Sequence, residues 1–453
     1  MGLPHQEFAP AAERVDQGRS LRSTVPRSSH AAFEVAPDRA DPVETLQASN
    51  EARLPELVPI RFGRMSVSPF AFLRGSAAVM AADLAHLPDS GLQVQACGDC
   101  HLMNFGMFAT PERHVVFGLN DFDETLPGPW EWDLKRLAAS LVVAGRDAGT
   151  KDGDARASAV GAVRAYRTFM WEHSLQSPLE VWYDGMDVES SIKDAPDDVA
   201  RARRKRLLEK ARRRVGESLF PKLVRADDGG MRIVDQPPLL FHPQMDDLDE
   251  IAEQFIAGYR ESLPADRRVL FDRYRLCDLA VKVVGVGSVG TRCLVGLFSS
   301  AGGHPLFLQI KEANASVLEP YVSGAEVTHN GERVVTGQRL MQAASDIFLG
   351  WATSLAGRHF YVRQLRDMKL SVTLTGDPVL LGRYAEFCGQ ALARAHANSG
   401  DAACIAGYMG RKDTFDEAIG DFAVAYADQT ERDHALLVDA IRDGRVDVIE
   451  EAV

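Results

Sequence analysis

Cysteine is scarce: six among 453 residues do not make a disulfide framework. A reducing cytoplasm is the simplest setting for such a chain. Long apolar runs are missing as well. No window reaches the ~18 consecutive apolar residues of a membrane span, and the polar first fifty residues hold no apolar signal core, so no secretion signal is expected. Positive charge is in deficit, with 51 Lys and Arg against 64 Asp and Glu and a formal net charge of -13. That balance speaks against general electrostatic affinity for nucleic acid or an anionic membrane. There is no internal repeat and no low-complexity tract.

What is present is an ordinary globular composition. Hydrophobic residues make up 45% and charged residues 25%, which suits a chain with a substantial core. Residues 1–55 read as an extension that wraps or dangles, with loop signals at Pro26–Ser29 and Asp38–Pro42. Phe70 to Leu87 is apolar and alanine-rich and predicts one buried helix ending before Pro88. Short strands follow, LQVQA and then Val115 to Leu119, each running into a polar loop. Helical spacing predicts Asp133–Arg146, about Asp154 to His173, Ala200–Val215 and Ile251–Leu263. From Leu279 the pattern turns β-rich, with two runs joined by a glycine turn at Ser299–Gly303, a hairpin signature. HFYVRQL predicts a further strand. The chain from about Leu380 onward reads as mostly helical.

The chemistry-bearing residues cluster early. Asp99 and Asn104 stand five apart in Gly98-Asp99-Cys100-His101-Leu102-Met103-Asn104, behind a strand. Asp121 heads Asp121-Phe122-Asp123-Glu124 at the end of the next strand. Phosphoryl transfer needs a carboxylate to orient or deprotonate the acceptor. It also needs an amide and a second carboxylate to hold Mg²⁺ on the phosphates. A D-x-x-x-x-N loop followed one hairpin later by an aspartate supplies those groups.

A second segment, Gly285-Val286-Gly287-Ser288-Val289-Gly290, is G-x-G-x-x-G, weak by itself. A dinucleotide fold needs a helix directly after the third glycine. Here Arg292 to Phe298, a glycine turn and Pro305 to Lys311 follow, with no room for a helix. Strand, turn and strand with a lysine near the end of the second strand is the kinase plan. Its glycine-loop amides cover the phosphates and its lysine contacts the α/β-phosphates. A helical glutamate then pairs with Lys311. Glu319, Glu326 and Glu332 lie downstream, and spacing does not choose among them; Glu319, the first, is carried as the candidate.

GDCHLMN resembles the catalytic loop of aminoglycoside-phosphotransferase-type kinases, G-D-x-H-x-x-N. LNDFDE resembles their metal-binding segment, and GPWEWDLKRLA resembles the G-x-x-x-x-D-L that follows it. The resemblance implies that Asp133 braces the catalytic loop from within a helix and that His101 shapes that loop. SPFAFLRG, NDFDETLPGPWEWDLKRLAAS, QIKEA and YVRQLRDMK further resemble a bacterial family catalogued as domain of unknown function 2252, over nearly the whole chain.

Other chemistries fit the same residues less well. Cys97 to His101 is also C-x-x-C-H, the haem-attachment signature, but Asp99 and Asn104 have no role in a haem site. Zinc lacks a second cysteine pair at ligand spacing, and Asp99 between two thiols works against redox use. Neither haem nor zinc is expected. Cys277, Cys293, Cys388 and Cys404 read as ordinary core or semi-buried thiols. The basic run Arg201 to Arg206, continued by Lys210 and Arg212 to Arg214, reads as a solvated helix face with Leu207, Leu208 and Val215 inside, or as a dock for an acidic partner. Arg64 and Arg74 are candidates for binding a substrate anion or for pairing with structural carboxylates.

The expectation is an α+β, two-lobed, protein-kinase-like fold. Lys311 lies roughly two hundred residues after Asp99, the reverse of ordinary kinase order, so the fold is expected to be circularly permuted. The parts are an extension (1–55), a helical lobe with the catalytic loop (56–278), a β-rich nucleotide lobe (279–375) and a C-terminal helical segment on the catalytic lobe (376–453). The expected activity is ATP-Mg²⁺-dependent phosphotransfer to a small-molecule acceptor. Asp99 orients the acceptor, Asn104 and Asp121 hold the metal, Asp123 assists, and Gly285, Gly287, Ser288, Gly290 and Lys311 hold the nucleotide. AMP transfer to a protein and nucleotide binding without turnover are the alternatives.

Overall fold

The computed structural model describes residues 9–193, 198–213, 223–227, 230–242, 248–283, 285–324, 326–365 and 376–449. Its strands, in chain order, are β1 (Gln93–Ala96), β2 (Phe105–Ala109), β3 (Val115–Leu119), β4 (Leu126–Pro129), β5 (Met186–Asp187), β6 (Val224–Asp227), β7 (Gly230–Ile233), β8 (Leu240–Phe241), β9 (Tyr274–Lys282), β10 (Cys293–Ser300), β11 (Pro305–Glu312), β12 (Gly350–Thr353) and β13 (His359–Gln364). β1 pairs with β4, β3 lies between β2 and β5, and β6 pairs with β7. The remaining strands form one antiparallel sheet in the order β12-β13-β11-β10-β9-β8.

Helices build the larger core. Trp130–Asp147 is buried along almost its whole length, with the charged Glu131, Asp133, Lys135 and Arg136 buried among its apolar residues. It packs against Asp152–His173, Pro378–Ala397 and Thr414–Arg442. Trp130 is buried in this core and stacks on Tyr166 at 5.6 Å between ring centres. Gly389 lets two of these helices touch, since a Cβ there would lie 2.0 Å from the carbonyl oxygen of Ala162.

The N-terminal extension is ordered against this body. Helix Ala11–Ser20 packs on helix Ala402–Met409, and Arg22 and Arg27 donate to the carbonyls of Tyr408 and Met409, each at 2.8 Å. The single helix expected over Phe70–Leu87 is two, Pro69–Gly75 and Ala77–Ala85. The break follows from a close approach. A Cβ at Gly75 would meet the sulfur of Met65 at 2.5 Å, and the Gly75 carbonyl turns to accept from buried Arg61. On the Asp198–Arg212 helix the basic residues described are largely exposed while Leu208 and Ala211 are buried against Val115 and Val188. Arg214 and Val215, and the Leu207 side chain, lie outside the described residues.

The six-stranded sheet is wider than the β-rich stretch expected from Leu279. β9 already begins at Tyr274, and β8 adds an edge strand. Alternation sorts its faces. Leu306, Leu308 and Ile310 point to a core shared with Tyr259, Leu263 and Phe271 of the preceding helices. The alternate residues Gln309 and Lys311 sit opposite Arg363 and Tyr361 of β13. That polar row is the side from which Arg363 and Tyr361 reach the loop at Asn120 and Asp123. Among the described residues no helix is long and apolar enough to cross a membrane.

Candidate active site

β1 delivers Cys97-Gly98-Asp99 into the space between helical body and sheet. Gly98 has φ of +82°, and a Cβ on it would sit 2.3 Å from the Glu124 carbonyl oxygen. Only glycine fits there. The N–H groups of Cys97 and Gly98 donate to the two carboxylate oxygens of Asp133, at 2.6 and 2.9 Å. Asp133, in the first turn of Trp130–Asp147, is buried and faces His396 Nε2 at 3.1 Å; His396 Nδ1 in turn faces the Tyr166 hydroxyl at 2.9 Å. Asp133 thus braces the loop from within a helix.

The next residues are held as closely. Leu102 N–H donates to Ser140 Oγ (2.9 Å), and Met103 N–H to His101 Nδ1 (3.2 Å). Asn104 Nδ2 donates to the Asp99 carbonyl (2.7 Å), which leaves its Oδ1 for another partner. His101 is buried, and burial together with Arg136 and Arg74 holds its pKa well below the usual histidine value, so it is neutral. It shapes the turn through Nδ1, and its Nε2 stands 3.8 Å from Asp99 Oδ2.

Asp99 Oδ1 accepts from Arg136 Nε at 2.6 Å and lies 2.5 Å from Nη2. Burial raises the Asp99 pKa against the pull of Arg136 and Arg74. Asp121 follows β3 and accepts a long bond from Asp123 N–H, 3.3 Å. Burial, with Asp123 beside it, raises the Asp121 pKa as well. The Cys97 thiol donates to the Asp121 carbonyl at 3.2 Å. Contact with Cys100 draws the Cys97 pKa down, but burial and nearby carboxylates outweigh it, and burial lifts Cys100 well up. Both thiols stay protonated. Cys293, Cys388 and Cys404 are buried, whereas Cys277 is exposed rather than semi-buried.

The sheet supplies the opposite side. Lys311 Nζ pairs with Asp123 Oδ2 and donates to Ser288 Oγ at 2.8 Å, while the Tyr361 hydroxyl donates to Asp123 Oδ1 at 2.8 Å. Burial opposes charge on both partners. Their mutual attraction outweighs it, lowering the Asp123 pKa and raising that of Lys311.

Gly285 and Gly290 have φ of +69° and +88°, and the segment runs into β10 without a helix. Its carbonyls are tied down. Gly285 accepts from Arg64, Val289 from Arg53 at 2.6 Å, and Gly290 from Leu54 N–H at 2.8 Å. Among the described residues the N–H groups of Val286, Gly287 and Ser288 donate to nothing. A cleft of about 450 Å³ is lined by Asp99, His101, Asn104, Asp121, Asp123, Gly285, Gly287 and Ser288 together.

Two expectations need correction. Lys311 is paired with Asp123, not with a glutamate. Glu319, Glu326 and Glu332 are all exposed, and helix Asn330–Met341 turns Arg333 inward, donating to the carbonyls of Thr125 (2.6 Å) and Asp123 (2.8 Å). Asp123, expected to assist a metal, has one oxygen on Lys311 and the other on Tyr361. Among the described residues no three His, Cys, Asp or Glu converge as a metal cage.

Several lining residues escaped the sequence. Among them Arg53, Arg61 and Glu312 border the cleft, and Glu312 is buried between Arg292 and Arg358 at 3.2 and 3.0 Å. The available signal was Arg61 inside the apolar run Ile60-Arg61-Phe62, a charge that must find a partner when its helix is buried.

A profile of the family described as "Uncharacterized protein conserved in bacteria (DUF2252)" matches residues 53–440. No curated protein and no solved structure matches the chain.

Proposed function

The chain belongs to this bacterial family, and from that premise we propose that it is an ATP-dependent phosphotransferase with a two-lobed, kinase-like, circularly permuted arrangement. The observation that carries this is the meeting of two sequence-remote sets in one cleft. Asp99, Asn104 and Asp121 come from loops of the helical body, and the glycine turn comes from the sheet side, with Lys311 buried behind the lining and bonded to Ser288 and Asp123. The three undonated amides of Val286, Gly287 and Ser288 form a cradle suited to phosphate oxygens.

In this scheme Asp99 orients the acceptor through Oδ2, since Arg136 occupies Oδ1. The acceptor oxygen bonds to the γ-phosphorus, the bond from that phosphorus to the β–γ bridging oxygen breaks, ADP leaves, and the acceptor's proton passes to Asp99. Lys311 lies beside Ser288 at the end of the cradle and acts on the phosphates or through the Asp123 loop.

The oxygen donors fit Mg²⁺. That ion takes one or two carboxylates plus substrate phosphates and water rather than an all-protein cage. Asp121, whose carboxylate among the described residues accepts only the long bond from Asp123 N–H, and Asn104 Oδ1 are the groups to hold it. Bound there, it neutralises charge on the phosphate oxygens. One observation favours a second reading, nucleotide binding without turnover: the Arg136 pair already engages Asp99.

Incubation with γ- and α-labelled ATP and Mg²⁺ tests these readings, comparing wild type with Asp121→Asn and Asp99→Ala. A phosphotransferase passes γ-label to an acceptor, loses nucleotide binding in Asp121→Asn and loses turnover but not binding in Asp99→Ala. Transfer of α-label alone points to AMP transfer, and binding without transfer to the second reading. Absence of ATP binding in the wild type sinks all three.

A further inference from the structure

One side of the cleft is basic in a way the phosphotransfer scheme does not use. Arg53, Arg61 and Arg74 line it, brought together by helices Val58–Ser66 and Pro69–Gly75 and the turn before them. Each has a buried Nε with no hydrogen-bond partner. Arg61 is only 2% exposed; its Nη1 and Nη2 are fixed on Asn50 Oδ1 (2.7 Å) and the Gly75 carbonyl (2.6 Å), and its Nε is left without a partner. Arg74 goes further. Among the described residues its guanidinium has no hydrogen bond and no ion pair at all.

The nearby carboxylates answer this only in part. Asp99 is paired with Arg136, Asp123 with Lys311, and Glu124 Oε2 accepts from Val317 N–H at 2.8 Å; Asp121 acts on Arg74 electrostatically but makes no ion pair with it among the described residues. Burial lowers the pKa values of all three arginines, with the cleft carboxylates only partly opposing it. Arg61 is buried while Arg53 and Arg74 are half-buried; a buried Nε left without a partner is costly unless an anion completes it, and the guanidinium fork matches phosphate and carboxylate oxygens.

We propose that Arg74 and Arg61, with Arg53 beside them, form an anion subsite for the acceptor, so that the acceptor is a small molecule carrying a phosphate ester or a carboxylate. The inference rests on the phosphotransfer scheme for what happens to that molecule, not for its binding. Arg74 lines the same cleft as Asp99 and acts electrostatically on both Asp99 and Asp121, so an anion held by it lies within reach of the carboxylate that orients the acceptor. The glycine turn closes over the same point, since a Cβ at Gly287 would sit 3.0 Å from the Arg74 carbonyl.

Calorimetric titration of the full chain with inorganic phosphate, and separately with acetate, tests the subsite. Both are repeated with a saturating non-hydrolysable ATP analogue and Mg²⁺. Phosphate or acetate is expected to bind wild type with or without the analogue; which of the two binds tells phosphate ester from carboxylate. Arg74→Gln is expected to weaken that binding about tenfold or more, and Arg74→Lys by less, with thermal melts confirming that both variants fold. Asp121→Asn is expected to lose the ATP analogue and keep the small anion. No anion binding, unchanged binding in Arg74→Gln, or displacement of the anion by the analogue overturns the acceptor subsite. Anion binding without any binding of the analogue leaves the subsite standing and removes the phosphotransfer scheme instead.

Discussion

The loop from Cys97 to Asn104 and the turn from Gly285 to Gly290 border the same cleft, and their backbones are treated in opposite ways. In the loop, the N–H groups of Cys97, Gly98, Leu102 and Met103 are all donated to side chains, the first two to Asp133. In the turn, carbonyls are held from outside by Arg53, Arg64 and Leu54, and among the described residues three consecutive amides, of Val286, Gly287 and Ser288, are left open. A loop so fastened fixes the position of Asp99 before anything binds. A turn whose acceptors are pinned and whose donors are open is prepared for a ligand that brings oxygens.

The largest effect should come from cutting the loop's fastening. Asp133→Ala orphans two buried N–H groups and leaves His396 without its carboxylate. We expect a loss of about 3–5 kcal/mol in denaturant unfolding; a loss under about 1 kcal/mol would mean that the loop does not depend on this brace. A matched pair of glycine substitutions comes next. Gly98→Ala places a methyl 2.3 Å from a backbone carbonyl at positive φ, whereas at Gly285 the nearest atom is Ser288 Oγ at 3.6 Å. Gly285→Ala should cost about 1 kcal/mol from φ alone, and Gly98→Ala at least twice that. Equal losses would erase the contrast between a clamped loop and an open turn.

The smallest expected effect has the opposite sign. The Asp121 pKa is raised above its unfolded value by burial and by Asp123, so its ionised form works against the fold at neutral pH. Stability from this group therefore grows as pH falls through the raised value toward the ordinary carboxylate value. Asp121→Asn should stabilise the chain by up to about 1 kcal/mol at pH 7 while removing nucleotide binding. Its stability should also change less than that of wild type between pH 7 and 5. A destabilised variant would show that Asp121 is a structural carboxylate.

Much of the fold was legible because it is written locally. β3 spans Val115–Leu119 as read from its short β-rich run, and the β10–β11 hairpin turns at its glycines. The helix Asp152–His173 follows its apolar spacing. The split at Gly75 was not legible, because it depends on Met65 and Arg61, which belong to another helix. Nor was the true start of the sheet, since the β9 residues before Leu279 gain their pairing from β10.

At the cleft the division is sharper. Residue types and short spacings decided by themselves that Gly98-Asp99 to Asn104 and Asp121 would stand at strand ends and that no helix would follow Gly290, since such rules act over a few residues. Charge partners were decided only by the tertiary structure. Lys311 finds Asp123 across 188 residues of chain, a distance over which spacing carries no information. Arg74, by contrast, is brought into the cleft and, among the described residues, makes no side-chain hydrogen bond or ion pair. A charge's partner is set by which buried surfaces meet. Here the polar row of the sheet, Lys311, Tyr361 and Arg363, meets the loop after β3, and only that docking turns two separate motifs into one cleft.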